Sequence, residues 1–231
     1  MSRSIEMIET VAARLESISW RFVFLGGATT ELYVTDSAVT DIRPTMDVDV
    51  IVEIGTFAKY AALEQSLRDL GLQQMIGADT PICRWQIGDV LVDVMPTNEQ
   101  ILGFSNRWYE QAIGNAHEYA LPSQRLIWLA NPEYFIATKL EAFLGRGNED
   151  YILSHDIEDI ITVIDGRPQF RGEIELASES VRTYICRELA RHRTQAEFRD
   201  AVQGYVPNTP SGNERYRVIF QRIEAIIATG I

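Results

Sequence analysis

Asp47-Val-Asp-Val-Ile-Val-Glu53 sets two carboxylates two positions apart and then turns apolar. Alternation giving way to an apolar run is strand behaviour, and a period of two puts Asp47 and Asp49 on one face. Upstream, Arg21-Phe-Val-Phe-Leu25 is a short apolar run ended by Gly26-Gly27, which reads as a buried strand entering a tight turn. Downstream, Leu91-Val-Asp93-Val places a charge in the middle of another apolar strand. An unpaired charge in a core is costly, so Asp93 must reach a strand end or meet a cation.

The rest of the chain is read outward from these strands. Ile5, Ile8, Val11, Ala12 and Leu15 recur at helical spacing, predicting an amphipathic helix over 4–18. A brief helix is expected over 28–33, a polar loop over 35–45, and a helix over 56–70 stopped by Gly71. Strands over 82–87 and 90–95 flank Gly88-Asp89, a hairpin dipeptide, and Pro96 closes the second. Short strands are expected over 113–121 and 126–129. From residue 131 the character changes to helices over 132–144, 155–164, 174–191, 195–202 and 214–228, with a loop over 205–212. This is a mixed α/β (α+β) part over 1–130 followed by a helical region over 131–231, with no internal repeat.

At 231 residues, 46% hydrophobic and 23% charged, the chain can bury a sizeable core. No apolar run approaches the roughly 20 residues needed to span a bilayer. The first twenty residues carry alternating charges rather than a signal-peptide stretch, and Cys83 and Cys186 stand far apart in no metal-ligand spacing. Buried thiols in a reducing cytoplasm are therefore expected. The net charge of −12 argues against a protein that coats nucleic acid nonspecifically. Residues 1–130 hold 9 basic against 17 acidic side chains, and residues 131–231 hold 12 against 16. That acidity fits either a cation site or a solvated surface.

Two carboxylates held close repel each other unless a cation joins them. Hard oxygen ligands suit Mg²⁺, with Mn²⁺ as the alternative, the metal taking its remaining ligands from substrate phosphates. A neighbouring strand that brings Asp93 beside Asp47 and Asp49 completes a three-carboxylate site. A strand ending in Gly-Gly and feeding a helix lets backbone N–H groups approach a phosphate, although a plain tight turn gives the same sequence.

Phe24-Leu-Gly-Gly-Ala28 followed by Arg43-Pro-Thr-Met-Asp-Val-Asp49 resembles the signature of the DNA polymerase β-like nucleotidyltransferase superfamily. Within it, the chain resembles the AbiEii/AbiGii-type toxin group of minimal nucleotidyltransferases. Lys139-Leu-Glu-Ala-Phe-Leu-Gly-Arg146 and His155-Asp-Ile-Glu-Asp-Ile160 are similar to that group's helical motif of a lysine, an arginine and a following Asp-x-x-Asp. The similarity covers roughly residues 22–167, and the interval from Gly27 to Asp47 is longer than the family's usual spacing.

The resemblance implies a nucleotidyltransferase-type mixed sheet flanked by helices, and Mg²⁺-dependent transfer of a nucleoside monophosphate from an NTP to an acceptor hydroxyl. By it, Asp47, Asp49 and Asp93 would bind metal, with Asp93 also activating the acceptor. Gly26, Gly27 and Thr29 would line the phosphates, and Lys139 would contact the triphosphate or help deprotonate the acceptor. Asp156 would complete the helical motif, with Asp159 as second choice. It further implies tRNA as acceptor and an antitoxin partner. The alternatives are a nucleotidyltransferase that modifies a protein or small molecule, and a non-catalytic nucleotide-binding protein.

Other residues divide between chemistry and plain structure. Lys139 is one of only two lysines, which fits a point-charge phosphate contact or an ordinary surface position. Arg43, just before the Asp pair, suits a phosphate contact, with a loop position in solvent nearly as good a fit. Trp85, beside Arg84, fits the core better than a stacked nucleobase. Arg146 could pair with Asp156 or satisfy a helix end. His155 follows Ser154, a natural cap. Arg187, Arg191, His192 and Arg193 read as a solvated helix face before an RNA contact.

Overall fold

The structure, a computed structural model, describes every residue except 40, 41, 79, 147–149 and 231, and the backbone alone of residue 146. The chain divides into two compact units. One comprises Met1–Glu31 and Pro44–Asn131, the other Leu32–Arg43 and Pro132–Ile231. No helix of the described residues is long and apolar enough to cross a membrane.

The first unit is a seven-stranded sheet in the order β3-β4-β5-β2-β1-β7-β6. Its strands are β1 (Phe22–Leu25), β2 (Asp47–Val52), β3 (Gln73–Gln74), β4 (Arg84–Ile87), β5 (Val90–Pro96), β6 (His117–Ala120) and β7 (Leu126–Leu129). With them run α1 (Arg3–Leu15), α3 (Phe57–Asp69), α4 (Glu99–Leu102) and α5 (Tyr109–Gly114), while the short α2 (Thr30–Tyr33) begins in this unit and ends in the other. β2 pairs with β5 in parallel and with β1 antiparallel, and β4–β5 is an antiparallel hairpin. The mixed sheet expected from the sequence is thus present.

Helix α1 begins at Ser2, whose hydroxyl caps the Ile5 N–H, and buries Ile5, Ile8, Val11, Ala12 and Leu15. It packs against β2 and β5. On β2, Val48 and Val50 share a face that is fully buried. The opposite face carries Asp47 and Asp49 and then Ile51, which is also fully buried. The strand is therefore covered on one side along its whole length and on the carboxylate side only in its second half.

The second unit is helical: α6 (Pro132–Arg146), α7 (His155–Gly166), α8 (Phe170–Leu176), α9 (Glu179–His192), α10 (Ala196–Tyr205) and α11 (Pro210–Ile227). Helix α7 buries Ile157, Ile160, Ile161, Val163 and Ile164, and packs against α6, α10 and α11. A helix apolar on most of its faces belongs in the centre of a bundle. Leu32–Arg43 joins this unit through the N–H groups of Thr35 and Asp36, both donating to the Gly166 carbonyl at 2.8 and 2.9 Å. Tyr33 adds a ring contact to Phe135, at 4.6 Å between centroids. A Cβ on Gly166 would lie 2.8 Å from Val34 Cγ2, so glycine is what lets this segment approach.

Several elements differ from the sequence reading. The strand expected over 113–121 is only His117–Ala120, because Ala112 and Ile113 are the buried face of α5. The single helix expected over 174–191 is broken by extended backbone at Ala177 and Ser178, which separates α8 from α9. Helix α11 starts before residue 214, since Thr209 caps it and Pro210 takes the first helical turn. Strand β3 and helix α4 lay in stretches read without regular structure, being too short to show a period.

Two glycines give a paired test of this packing. A Cβ on Gly212 would stand 1.8 Å from the Pro207 carbonyl oxygen, whereas one on Gly172, within α8, meets nothing within 4 Å. Gly212→Ala should cost about 1–3 kcal/mol by overpacking. Gly172→Ala should stabilise by up to about 1 kcal/mol through helix propensity. Urea denaturation of both variants measures the difference, and shifts of the same sign would contradict it.

Candidate active site

Strand β1 ends at Leu25, and Gly26 turns the chain with φ +79°, a left-handed conformation that favours glycine. A Cβ there would stand 1.9 Å from Asp49 Oδ2 and 2.6 Å from its Cγ. Gly26 is therefore required twice, for its backbone angle and for the room it leaves the Asp49 carboxylate. Thr29 closes the turn, its N–H and hydroxyl both donating to the Gly26 carbonyl at 3.0 and 2.8 Å. Thr29 and Gly27 are buried. The helix expected after the glycines is a 3₁₀ turn, Gly27–Thr29, followed by the four-residue α2. So short a helix contributes little macrodipole, and any anion here would rest mainly on backbone N–H groups.

Sheet register lines up the charged residues. Leu25 lies opposite Asp49, Asp49 beside Asp93, and Asp93 opposite Arg84. Register partners share a face, so one row crosses β1, β2, β5 and β4, with Asp47 two positions along on the same side. Arg84 ties the row together. Its Nε donates to Asp93 Oδ1 and its Nη2 to Asp93 Oδ2, both at 2.8 Å, and Nη2 also reaches Asp47 Oδ2 at 2.5 Å. The other oxygen of Asp47 accepts from the Thr45 hydroxyl at 3.1 Å. Hydrogen bonding to Asp93 raises the Arg84 pKa above its ordinary range, so it is a permanent cation. Trp85, next to it, is fully buried on the other face.

In the second unit, Lys139 on α6 is buried between two carboxylates from the N-terminal part of α7. Its Nζ lies 2.7 Å from Asp159 Oδ2 and 3.1 Å from Asp156 Oδ1. Arg43 belongs to this unit and joins the cluster, with Nη2 3.3 Å from Asp159 Oδ2 and Nε 3.5 Å from Glu158. Ser154 caps α7 through the Ile157 N–H, and the carboxylates face the favourable end of the helix dipole. The carboxylate partner of Arg43 was not read from the sequence. The pairing considered between Arg146 and Asp156 lies outside the described residues. His155 is exposed, with Glu158 3.7 Å away. His192 is buried, its Nδ1 2.7 Å from the Tyr151 hydroxyl, so it is no part of a solvated basic face.

Among the described residues, no group of three or more His, Cys, Asp or Glu side chains is arranged to hold a metal ion. The donor chemistry nonetheless fits a hard cation. Asp47 and Asp93 already converge on one positive nitrogen of Arg84, and Gly26 leaves a cradle for Asp49 that a Cβ would fill.

No protein-family model matches the chain, and no curated protein matches it. Solved structures of similar outline include the antibiotic-resistance factor ANT(2'')-Ia in solution, at 18% identity over 69% of this chain and 81% of that one, with a TM-score of 0.45. ANT(2")-Ia in complex with adenylyl-2"-tobramycin is 18% identical over 82% of this chain and 99% of that one, TM-score 0.47. An antigenic nucleotidyltransferase-like protein from Paracoccidioides brasiliensis is 19% identical over 94% of both chains, TM-score 0.49. These are likenesses of general outline.

Two measurements probe the site. Gly26→Ala forces a strained φ and displaces Asp49, so it should destabilise the protein by about 1–3 kcal/mol, read by urea denaturation. A neutral result would mean that the turn relaxes freely. Cys83, buried near Asp93 and Asp49, has its thiol pKa pushed up to about 12, mainly by burial. At pH 8 about one molecule in ten thousand would carry the thiolate. Peptide mapping after iodoacetamide should find Cys83 unmodified in the native protein and modified in denaturant. Ready native labelling would refute the buried, anionic surroundings.

Proposed function

We propose that the chain is a nucleotidyltransferase that moves a nucleoside monophosphate from an NTP to an acceptor hydroxyl. The observation that carries this reading is the charged row: Asp49 seated over Gly26, with Asp93 beside it and Asp47 on the same face. Such an arrangement puts concentrated negative charge next to a glycine turn whose backbone can approach a phosphate. Asp47, Asp49 and Asp93 would hold Mg²⁺, or Mn²⁺ in its place. When bound, the metal neutralises charge on the entering and leaving oxygens.

The acceptor oxygen bonds to the α-phosphorus as the bond to the bridging oxygen breaks, and pyrophosphate departs. We assign the acceptor proton to the carboxylate of Asp93, the buried member of the row. The role of the chain's own residues is to position reactants and set a fixed field, with no covalent intermediate. Lys139 and Asp156 keep the supporting role in nucleotide chemistry that the family resemblance gives them.

For the acceptor, the AbiEii/AbiGii-type resemblance supports the 3′ end of a tRNA and a toxin restrained by an antitoxin. The net charge of −12 supports a protein or small-molecule acceptor instead, since an acidic surface repels phosphate. Incubation with each labelled NTP, Mg²⁺ and either cellular RNA, cellular protein or small-molecule extract separates these readings by the fraction that takes up label.

Asp49→Asn keeps the side chain's volume and removes one charge. Transfer should fall by about 10²-fold or more. The metal-free protein should be as stable as wild type or slightly more so, because carboxylate repulsion is relieved. Equal transfer by wild type and Asp49→Asn would refute the proposal.

A further inference from the structure

Arg84 has no part in the reaction as proposed, yet it holds the best-bonded position in the row. Its Nε and Nη2 take both oxygens of Asp93, and Nη2 also takes Asp47 Oδ2. We infer that Arg84 is the resident counter-cation of the Asp47–Asp93 pair and competes with a divalent metal for those carboxylates, so that metal enters as the guanidinium swings away. The inference rests on the metal-site reading above.

Mg²⁺ takes carboxylate oxygens at about 2.0–2.1 Å, and Arg84 already occupies both oxygens of Asp93 and one of Asp47. A divalent ion also repels a guanidinium held against the same oxygens. The two charge-assisted bonds to Asp93 make the fork a strong competitor. Its backbone is fixed by the register of β4 on β5, but its side chain is 22% exposed, so the head group has a way out to solvent. Because the guanidinium keeps its charge at all working pH values, only exchange for another cation relieves the competition. A metal arriving alone has to displace this cation unaided. A metal arriving on a triphosphate brings negative charge that offers the departing guanidinium a new partner.

The test is Mn²⁺ binding to the full chain, by calorimetry or electron paramagnetic resonance, in wild type and Arg84→Met. The variant should bind Mn²⁺ alone about tenfold more tightly, because the rival charge is gone. Its metal-free form should melt lower than wild type, with a larger rise in Tm on adding Mn²⁺. A purely structural role for Arg84 predicts the lower Tm without the gain in affinity. If both proteins bind Mn²⁺ and the variant binds equally or more weakly, competition is overturned while the metal site stands. If neither binds Mn²⁺, with or without NTP, the metal-site reading itself falls and this inference with it. Should Arg84→Met fail to fold, Arg84→Lys carries the test. A single ammonium cannot fork over both carboxylates, so affinity about threefold above wild type is expected, and unchanged affinity overturns the proposal.

Discussion

Like charges gathered on one face of a sheet repel, and this repulsion is what the first unit is built to contain. Two carboxylates about 5 Å apart, at an effective dielectric constant near 20, oppose each other by about 3 kcal/mol. Arg84 offsets this for Asp47 and Asp93 with a single head group. The offset holds only while two strand pairings keep their register: β4 on β5 and β5 on β2. A slip of one residue in β2 would turn its carboxylates into the face now filled by Val48 and Val50. The apolar side of the strand thus holds the charged side in place.

The second unit solves a related problem with every partner buried. There Lys139, Asp156 and Asp159 are all buried, and the carboxylates come to the ammonium from the N-terminal part of α7. Breaking a buried pair by removing one partner is far more damaging than never having formed it, because an uncompensated charge remains. Arg43 adds a second cation on Asp159, which ties the excursion Leu32–Arg43 to the helices electrostatically as well as through Gly166.

Much of this could be read from the residues. The alternation of 47–53 identified the carboxylate face of β2, the Gly26-Gly27 pair marked the end of β1, and Ser154 announced α7. The partner of Asp93 was not foreseen, although a signal was present. The Gly88-Asp89 turn pairs Ile87 with Val90, and counting back along the hairpin puts Arg84 opposite Asp93. Hairpin register is local information; the parallel pairing of β2 with β5 is not, because nothing in either strand specifies the other. The break between α8 and α9 escaped notice because the apolar residues on either side keep a helical rhythm across it. That a polar loop would be taken up by the helical unit was invisible for a simpler reason. Part of its hold is made by backbone N–H groups on the Gly166 carbonyl, which no side-chain pattern announces, and its side-chain partners lie more than a hundred residues away.

The excursion Leu32–Arg43 also governs the order in which the molecule can be made. Its anchor, the Gly166 carbonyl, lies more than a hundred residues further along the chain. During synthesis this segment emerges early, with the strands that flank it, and must wait unanchored until α7 has left the ribosome. Neither unit is one continuous piece of polypeptide. A gene fragment cut at residue 131 would therefore yield a helical half without its Tyr33–Phe135 contact, and a sheet half trailing a segment whose berth is missing. What looks like two consecutive parts in sequence is interleaved along the chain, with Leu32–Arg43 of the helical unit lying between two pieces of the sheet unit.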